Sequence, residues 1–403
     1  MRKEISDIIR TTNQKYVSRF LSEEPSPRLR QQLEQMDWSC LSMIHHQKEQ
    51  ERGAFEPLGA MELSEIESRK KEFLTEGLSA IKSGKVGAVL LAGGQGTRLG
   101  FDKAKGMYDI GVHRSLSIFE QLIANLKRVT NMAGVWVPLY IMTSEKNDRE
   151  TREFFEQHAY FGYDKDYVKF FVQEMVPAVD FEGNVLMESE DSLAMSPNGN
   201  GGWFRSMLKL GLDRDLQERG VEWLNVFAVD NVLQQIADPV FVGAAILSGC
   251  VSGAKVVRKS DPYERVGALC LENGKPSIVE YYELTPQMAE AVDEKGTLLY
   301  GFGVILNYLF RVDQLKEIND QSMPLHIVEK KVPYIDELGN FIKPETPNAY
   351  KFETLILDMV YMMKDCLSFE VDREKEFAPI KNPDGVDSVQ SARELLRKNG
   401  ICL

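Results

Sequence analysis

The chain of 403 residues reads as an α/β protein: a mixed, mostly parallel sheet flanked by helices and preceded by a helical N-terminal lobe. Three observations predict this. Residues 86–92 form a short, nearly continuous apolar run ending in glycines, as a strand buried on both faces does. Further strand-like runs follow at 135–143, 168–174, 223–230, 254–259 and 298–305. Helical patterns lie between several of them, at 117–132, 145–158, 203–219 and 239–247. Strands alternating with helices place the strands largely in parallel, with helices on both faces of the sheet.

Taken in order, residues 1–84 are helical in texture. Ile5, Ile8 and Ile9 share a face in a segment dense in Glu, Gln, Lys and Arg, and Pro25 and Pro27 interrupt it. Ser64 with Glu67 three residues on has the capping-box pattern, so a helix is expected to start after Ser64 and to end near Gly84. This lobe offers a packing or oligomer surface and no chemistry. Residues 85–403 form the α/β domain, closing on a short C-terminal segment over 383–403. Within it, two strand-like runs flank Asn273-Gly274, a strong hairpin signal. Residues 351–364 read as a helix.

Composition excludes several functions. Lys and Arg number 48 against 61 Asp and Glu, a net charge of −13. Nucleic acid and anionic membranes are held by excess basic residues, so neither is an expected partner. A locally basic pocket for a small anion remains compatible with an acidic chain. Five cysteines (Cys40, Cys250, Cys270, Cys366 and Cys402) form no C-x-x-C pair, which speaks against a disulfide scaffold or a thiolate zinc site. Free thiols, a polar N-terminus without a signal-peptide core and no apolar run long enough for a membrane suggest a soluble, cytoplasmic protein. The histidines, His45, His46, His113, His158 and His326, form no metal-binding pattern.

The most informative segment is GAVLLAGGQGTRLGFDKAKGMYDIG, residues 87–111. Glycines let backbone N–H groups approach phosphate oxygens. Arg98 adds a planar fork of donors, and Lys105 a compact charge seven residues later. A loop at the carboxyl end of a parallel strand is where such sheets bind ligands. The spacing is neither a Walker A loop nor a dinucleotide fingerprint. The plainer reading, a tight turn with solvated cations, leaves the joint presence of four glycines, an arginine and a lysine unexplained.

This block resembles the signature of the UDP-N-acetylglucosamine pyrophosphorylases, part of the wider UDP-sugar pyrophosphorylase group of nucleotidyltransferases. The resemblance continues in order through most of the chain. Gln173-Glu174, the Pro197–Gly202 run PNGNGG, Val229-Asp230-Asn231, Glu264-Arg265-Val266-Gly267, Val279-Glu280-Tyr281 and REKEFAPIKN from Arg373 to Asn382 each match a family block. The fold this implies is the Rossmann-like, GT-A type nucleotide-diphospho-sugar transferase. The implied reaction joins UTP and a sugar 1-phosphate into a UDP-sugar and pyrophosphate, with N-acetylglucosamine 1-phosphate favoured. Glucose 1-phosphate, or a broader set of sugars, is the near alternative. A non-catalytic nucleotide-sugar binding protein is the alternative of another class.

The resemblance also implies roles. Arg98, Lys105 and Lys381 would neutralise the triphosphate, the leaving pyrophosphate and the sugar phosphate. Leu91, Ala92, Gly93, Gly94, Gly96, Thr97, Gln173, Gly199 and Lys351 would hold the nucleotide. Asn200, Gly267, Glu280 and Tyr281 would face the sugar, and Asp230 would ligate Mg²⁺. The chain departs from the family mainly on the sugar side. Val304 stands for an asparagine that reaches the sugar, and Leu355 and Leu357 for two phenylalanines near the acetamido group. A valine cannot pair with a hydroxyl, and a buried hydroxyl left unpaired costs about 1–3 kcal/mol. Ala104 replaces the proline usual before the lysine.

Overall fold

A computed structural model describes residues 3–21, 25–36, 38, 41, 52–319 and 323–403. Cys40, His45 and His46 lie outside the described residues. The chain divides into two compact units, one of Met1–Arg52, Glu174–Gly202 and Met323–Ile356, the other of Gly53–Gln173, Trp203–Ser322 and Leu357–Leu403.

In the first unit the helices Lys3–Thr11, Lys15–Phe20 and Pro27–Gln35 bury Ile5, Ile9, Val17, Leu29 and Leu33 with Ala178, Leu186, Leu193 and Phe352. The Ser26 side chain caps the third helix by accepting from Leu29 N, and Pro27 occupies its first turn. Short antiparallel strands complete the unit, among them His326–Lys330, Ala349–Glu353 and Val179–Asp180 side by side. The helix expected over 351–364 is corrected here. Lys351 lies in the strand Ala349–Glu353, paired on both edges, and a helix starts only at Ile356. Strand pairing overrides the helical propensity of the Lys-Phe-Glu sequence.

The second unit holds a ten-stranded sheet. Its strands are β1 (Phe55–Pro57), β2 (Val86–Leu91), β3 (Leu139–Thr143), β4 (Val168–Val172), β5 (Trp223–Ala228), β6 (Ser252–Arg258), β7 (Ala268–Glu272), β8 (Lys275–Val279), β9 (Phe302–Arg311) and β10 (Leu367–Glu370). β5, β2, β3 and β4 are neighbours in that order and run parallel. β9 runs antiparallel to both β5 and β6, and β6 is parallel to β10. All six residues of β2 and of β5 are buried, as expected of strands covered on both faces. The expected hairpin forms between β7 and β8, with both Asn273 and Gly274 at positive φ.

Three further expectations are corrected in this unit. The helical pattern over 203–219 is two helices, Trp203–Lys209 and Leu212–Arg219, because Gly211 adopts a left-handed conformation between them. The helix expected after Ser64 is Leu63–Lys82, with no side-chain cap at Glu62. Its first amide, Leu63 N, donates instead to the buried Glu370 carboxylate at 2.9 Å. The strand expected over 298–305 runs on to Arg311 through a bulge, where Leu306 takes a positive φ.

The Leu63–Lys82 helix packs on the Pro239–Ser248 helix through two glycines. A Cβ on Gly77 would collide with the Pro239 carbonyl, and one on Gly243 with the Phe73 carbonyl. Residues 53–84 therefore belong with the sheet, not with the N-terminal helices, and the expected boundary after residue 84 coincides with no limit of either unit.

Candidate active site

From β2 the chain passes to β3 and β4 on one side, while β5 lies on the other. The carboxyl ends of β2 and β5 thus flank the point where the strand order reverses, the standard ligand crevice of an open α/β sheet. The glycine loop leaves the end of β2 here. It folds back on itself: Gly96 N donates to Lys103 O at 2.9 Å, and Lys105 N to Gly94 O at 3.1 Å. A short 3₁₀ turn at Thr97–Leu99, closed by Gly100 at φ 67°, forms the tip and carries Arg98, which is exposed. The hairpin returns Lys105 to its base.

Neighbouring loops brace this hairpin. Asn147 Nδ2, in the loop after β3, donates to Ala92 O at 3.0 Å. Gln173, just after β4, is buried against Gly93, where a Cβ would stand 2.7 Å from its Oε1. A side chain at Gly93 would therefore displace the Gln173 amide. Ala104 N, a donor that the family's usual proline would lack, is satisfied by Glu150 Oε1 at 2.8 Å.

Asp230 follows β5. Its Oδ2 lies 3.7 Å from Lys105 Nζ, and its carbonyl accepts from Ile380 N at 2.9 Å. That second bond, with the Asn231–Pro379 bridge, brings Lys381 alongside. Lys381 Nζ is 3.0 Å from Asp387 Oδ2. The electrostatics join the four groups. Burial holds the Lys105 ammonium below its ordinary pKa, and the nearby charges of Lys381 and Arg98 push it the same way while Asp230 opposes them. Lys105 thus faces Asp230, and Arg98 and the sequence-distant Lys381, itself paired with Asp387, stand close enough for their charges to act on Lys105.

The sugar-side residues of this unit also converge. An ideal Cβ on Gly267 would lie 3.6 Å from Glu280 Oε1 and 3.6 Å from Val304 Cγ2, and Val304 N donates to Gly267 O at 2.9 Å. Tyr281 is exposed beside Tyr282, the two rings edge to face. Gly199, Asn200 and Lys351 belong to the first unit. There Gly199 has φ 84° and packs on the Thr354 carbonyl, and Asn200 Oδ1 accepts from Ile356 N at 3.0 Å. Leu355 and Leu357 flank Ile356 at the start of the next helix.

Sequence reasoning missed the supports beneath these groups. Arg373 grips Glu264 through two bonds of 2.7 and 2.8 Å, tying one matched block to another. Fully buried Asn225, Gln234 and Asn307 form an amide network below the end of β5. Polar residues inside otherwise apolar strands were the available signal.

The family model for UTP–glucose-1-phosphate uridylyltransferase matches residues 19–401. This chain belongs to that family. It is 41% identical over 352 residues to the human UDP-N-acetylhexosamine pyrophosphorylase-like protein 1, covering 85% of this chain and 69% of that protein. It is 42% identical over 329 residues to the UDP-N-acetylglucosamine pyrophosphorylase of Saccharomyces cerevisiae, covering 79% and 69%. The mouse pyrophosphorylase-like relative is matched over 63% of its length, so the chain spans about two thirds of the curated relatives it resembles. In three dimensions it resembles the uridine diphosphate N-acetylglucosamine pyrophosphorylase of Trypanosoma brucei, with a TM-score of 0.84, 26% identity and coverage of 98% and 85%. The resemblance to the UDP-sugar pyrophosphorylase group and the α/β fold it implied are thereby borne out.

Proposed function

We propose that the chain is a uridylyltransferase that joins UTP to a sugar 1-phosphate, with N-acetylglucosamine 1-phosphate the preferred acceptor. The observation that carries this is Lys105 set against Asp230 at the strand-order reversal, with the charges of Arg98 and Lys381 acting on Lys105 and the backbone before Lys381 bonded to Asp230. A phosphate oxygen of the sugar 1-phosphate attacks the α-phosphorus of UTP. The new P–O bond forms as the bond to the β-phosphate oxygen breaks, and pyrophosphate leaves with that electron pair. Such transfers need positioning and charge stabilisation and no covalent nucleophile. Arg98 and Lys105 neutralise the departing pyrophosphate, and Lys381 meets the α-phosphate or the sugar phosphate. The glycine-loop backbone and Gln173 hold the uridine end, where a glutamine amide supplies both a donor and an acceptor to uracil.

Mg²⁺ fits the residues present. Among the described residues no cluster of three or more His, Cys, Asp or Glu side chains could hold a metal by itself. Magnesium is commonly held by one or two carboxylates together with substrate phosphates, and Asp230 offers one beside the triphosphate-binding cations. When bound, it would neutralise phosphate charge. No helix among the described residues is long and apolar enough to cross a membrane. The described cysteines form no disulfide with one another, which suits a reducing, cytoplasmic location.

Val304 beside Gly267 and Glu280 favours a second reading, in which glucose 1-phosphate is preferred. Purified protein given UTP and a panel of sugar 1-phosphates separates the two by pyrophosphate release. N-acetylglucosamine 1-phosphate should react fastest. A ranking far below glucose 1-phosphate would remove it as the preferred acceptor.

A further inference from the structure

Lys255 lies in the middle of β6 and is completely buried. A buried ammonium must be paired, and its Nζ lies 2.9 Å from Asp238 Oδ2 and 2.6 Å from Glu376 Oε2, with Gln235 O at 3.3 Å. Both carboxylates are buried as well. Burial works against the charge on Lys255, but Asp238 and Glu376 outweigh it and keep the ammonium protonated. Burial also raises the pKa of Glu376, against the pull of Lys255.

The partners belong to different segments. Asp238 closes the stretch that begins at Asp230, and it caps the Pro239–Ser248 helix through Val240 N. Glu376 ends the Arg373–Glu376 helix and opens the stretch that reaches Lys381. The two stretches are laced together. Asn231 Nδ2 donates to Glu376 O at 2.7 Å, Ala378 N to Asn231 Oδ1 at 2.9 Å, Ile380 N to Asp230 O at 2.9 Å, and Gln235 N to Glu376 Oε2 at 3.2 Å. The β9 bulge, which supplies Asn307 to the Gln235 carbonyl, stands opposite Lys255.

Buried ion groups of this kind are poor devices for stability, because well-packed apolar residues of equal volume serve as well or better. They are effective at fixing geometry, since each bond has a set length and direction. We propose that Lys255 is a positioning residue: by gripping Asp238 and Glu376 at once, it sets the spacing between the segments that carry Asp230 and Lys381. This rests on the uridylyltransferase reading above. A displacement of about 1 Å in a catalytic array can cost about 100-fold in rate.

Lys255→Met alone strands two buried carboxylates and is expected to fold poorly. The informative variant is Lys255→Met/Asp238→Asn/Glu376→Gln, which keeps the volumes, leaves no buried charge and retains a competent helix cap. Its melting temperature should stay within about 5 °C of the parent. Its kcat should fall about 10–100-fold while the KM for UTP moves by less than about threefold. Amide hydrogen exchange at Ala378 and Ile380 should speed at least about tenfold, with β2 and β3 unchanged. Glu376→Ala, which leaves Lys255 paired with Asp238, is the second variant. It should show the same loss, and Glu376→Gln should restore kcat to within about threefold of the parent. Parental kcat and parental protection at Ala378 and Ile380 in either disrupting variant overturn the proposal. If the parent protein releases pyrophosphate with no sugar 1-phosphate, the uridylyltransferase reading fails by itself, and the exchange data still decide whether Lys255 clamps the segments.

Discussion

Lys105 sits between an attracting carboxylate and two like charges, in a place largely closed to water. It must be protonated to neutralise phosphate, and its pKa in the free protein is depressed, chiefly by burial. The activity it supports is therefore present at lower pH and lost as the pH rises through that depressed value. The kcat/KM for UTP should show an alkaline limb below the ordinary lysine range. Lys105→Arg should move that limb upward, because guanidinium does not titrate there. An unmoved limb would assign it to another group. Arg98, exposed at the tip of the hairpin, has a different character. Arg98→Ala should lower kcat by roughly 100-fold, the usual cost of losing one preorganised donor to a developing charge, with little change in UDP-sugar affinity. An unchanged kcat would remove Arg98 from the transition state. On the sugar side, Val304→Asn adds a donor and an acceptor beside Glu280. It should raise the preference for N-acetylglucosamine 1-phosphate over glucose 1-phosphate by about 5–100-fold if the residue meets the sugar. An unaltered ratio in a substrate competition would place Val304 outside the sugar contact.

Among elements, the glycine hairpin and the helix pair behind the sheet carry the clearest consequences. Alanine normally stabilises a helix interior by about 1 kcal/mol relative to glycine. Gly243→Ala should do the reverse, because the added Cβ meets the Phe73 carbonyl of the opposing helix. A loss of about 1–3 kcal/mol in urea unfolding is expected, and a stabilised variant would contradict the packing described. The strands of the parallel half were readable in the sequence because burial on both faces writes a continuous apolar run, as in β2 and β5. Arg98 and Lys105 were readable because their loop follows such a run. The strand holding Lys351 was not. Its extended form depends on two partners distant in sequence, 326–330 and 179–180, which no local pattern encodes. The split at Gly211 turns on one left-handed residue, and the start of the Leu63–Lys82 helix on a carboxylate 307 residues away.

For the whole molecule, interleaving is the main lesson. Residues 174–202 and 323–356 leave the sheet-bearing unit to join the N-terminal helices, so linear boundaries do not describe the chain. The lacing of the Asp230 segment to the segment that leads into Lys381 likewise spans a separation that sequence periodicity cannot see. It depends on Asn231 bonding to Glu376 and on Ile380 bonding to Asp230. The net charge of −13 gave no hint of the local cation cluster. The central claim is that this cluster serves attack on the α-phosphorus of UTP. The most direct measurement follows UTP labelled at its α-phosphate during incubation with N-acetylglucosamine 1-phosphate and Mg²⁺. The label should appear in the UDP-sugar, with unlabelled pyrophosphate released in equal amount. Label that stays in UTP, or emerges only as free nucleotide with no UDP-sugar formed, would contradict the account.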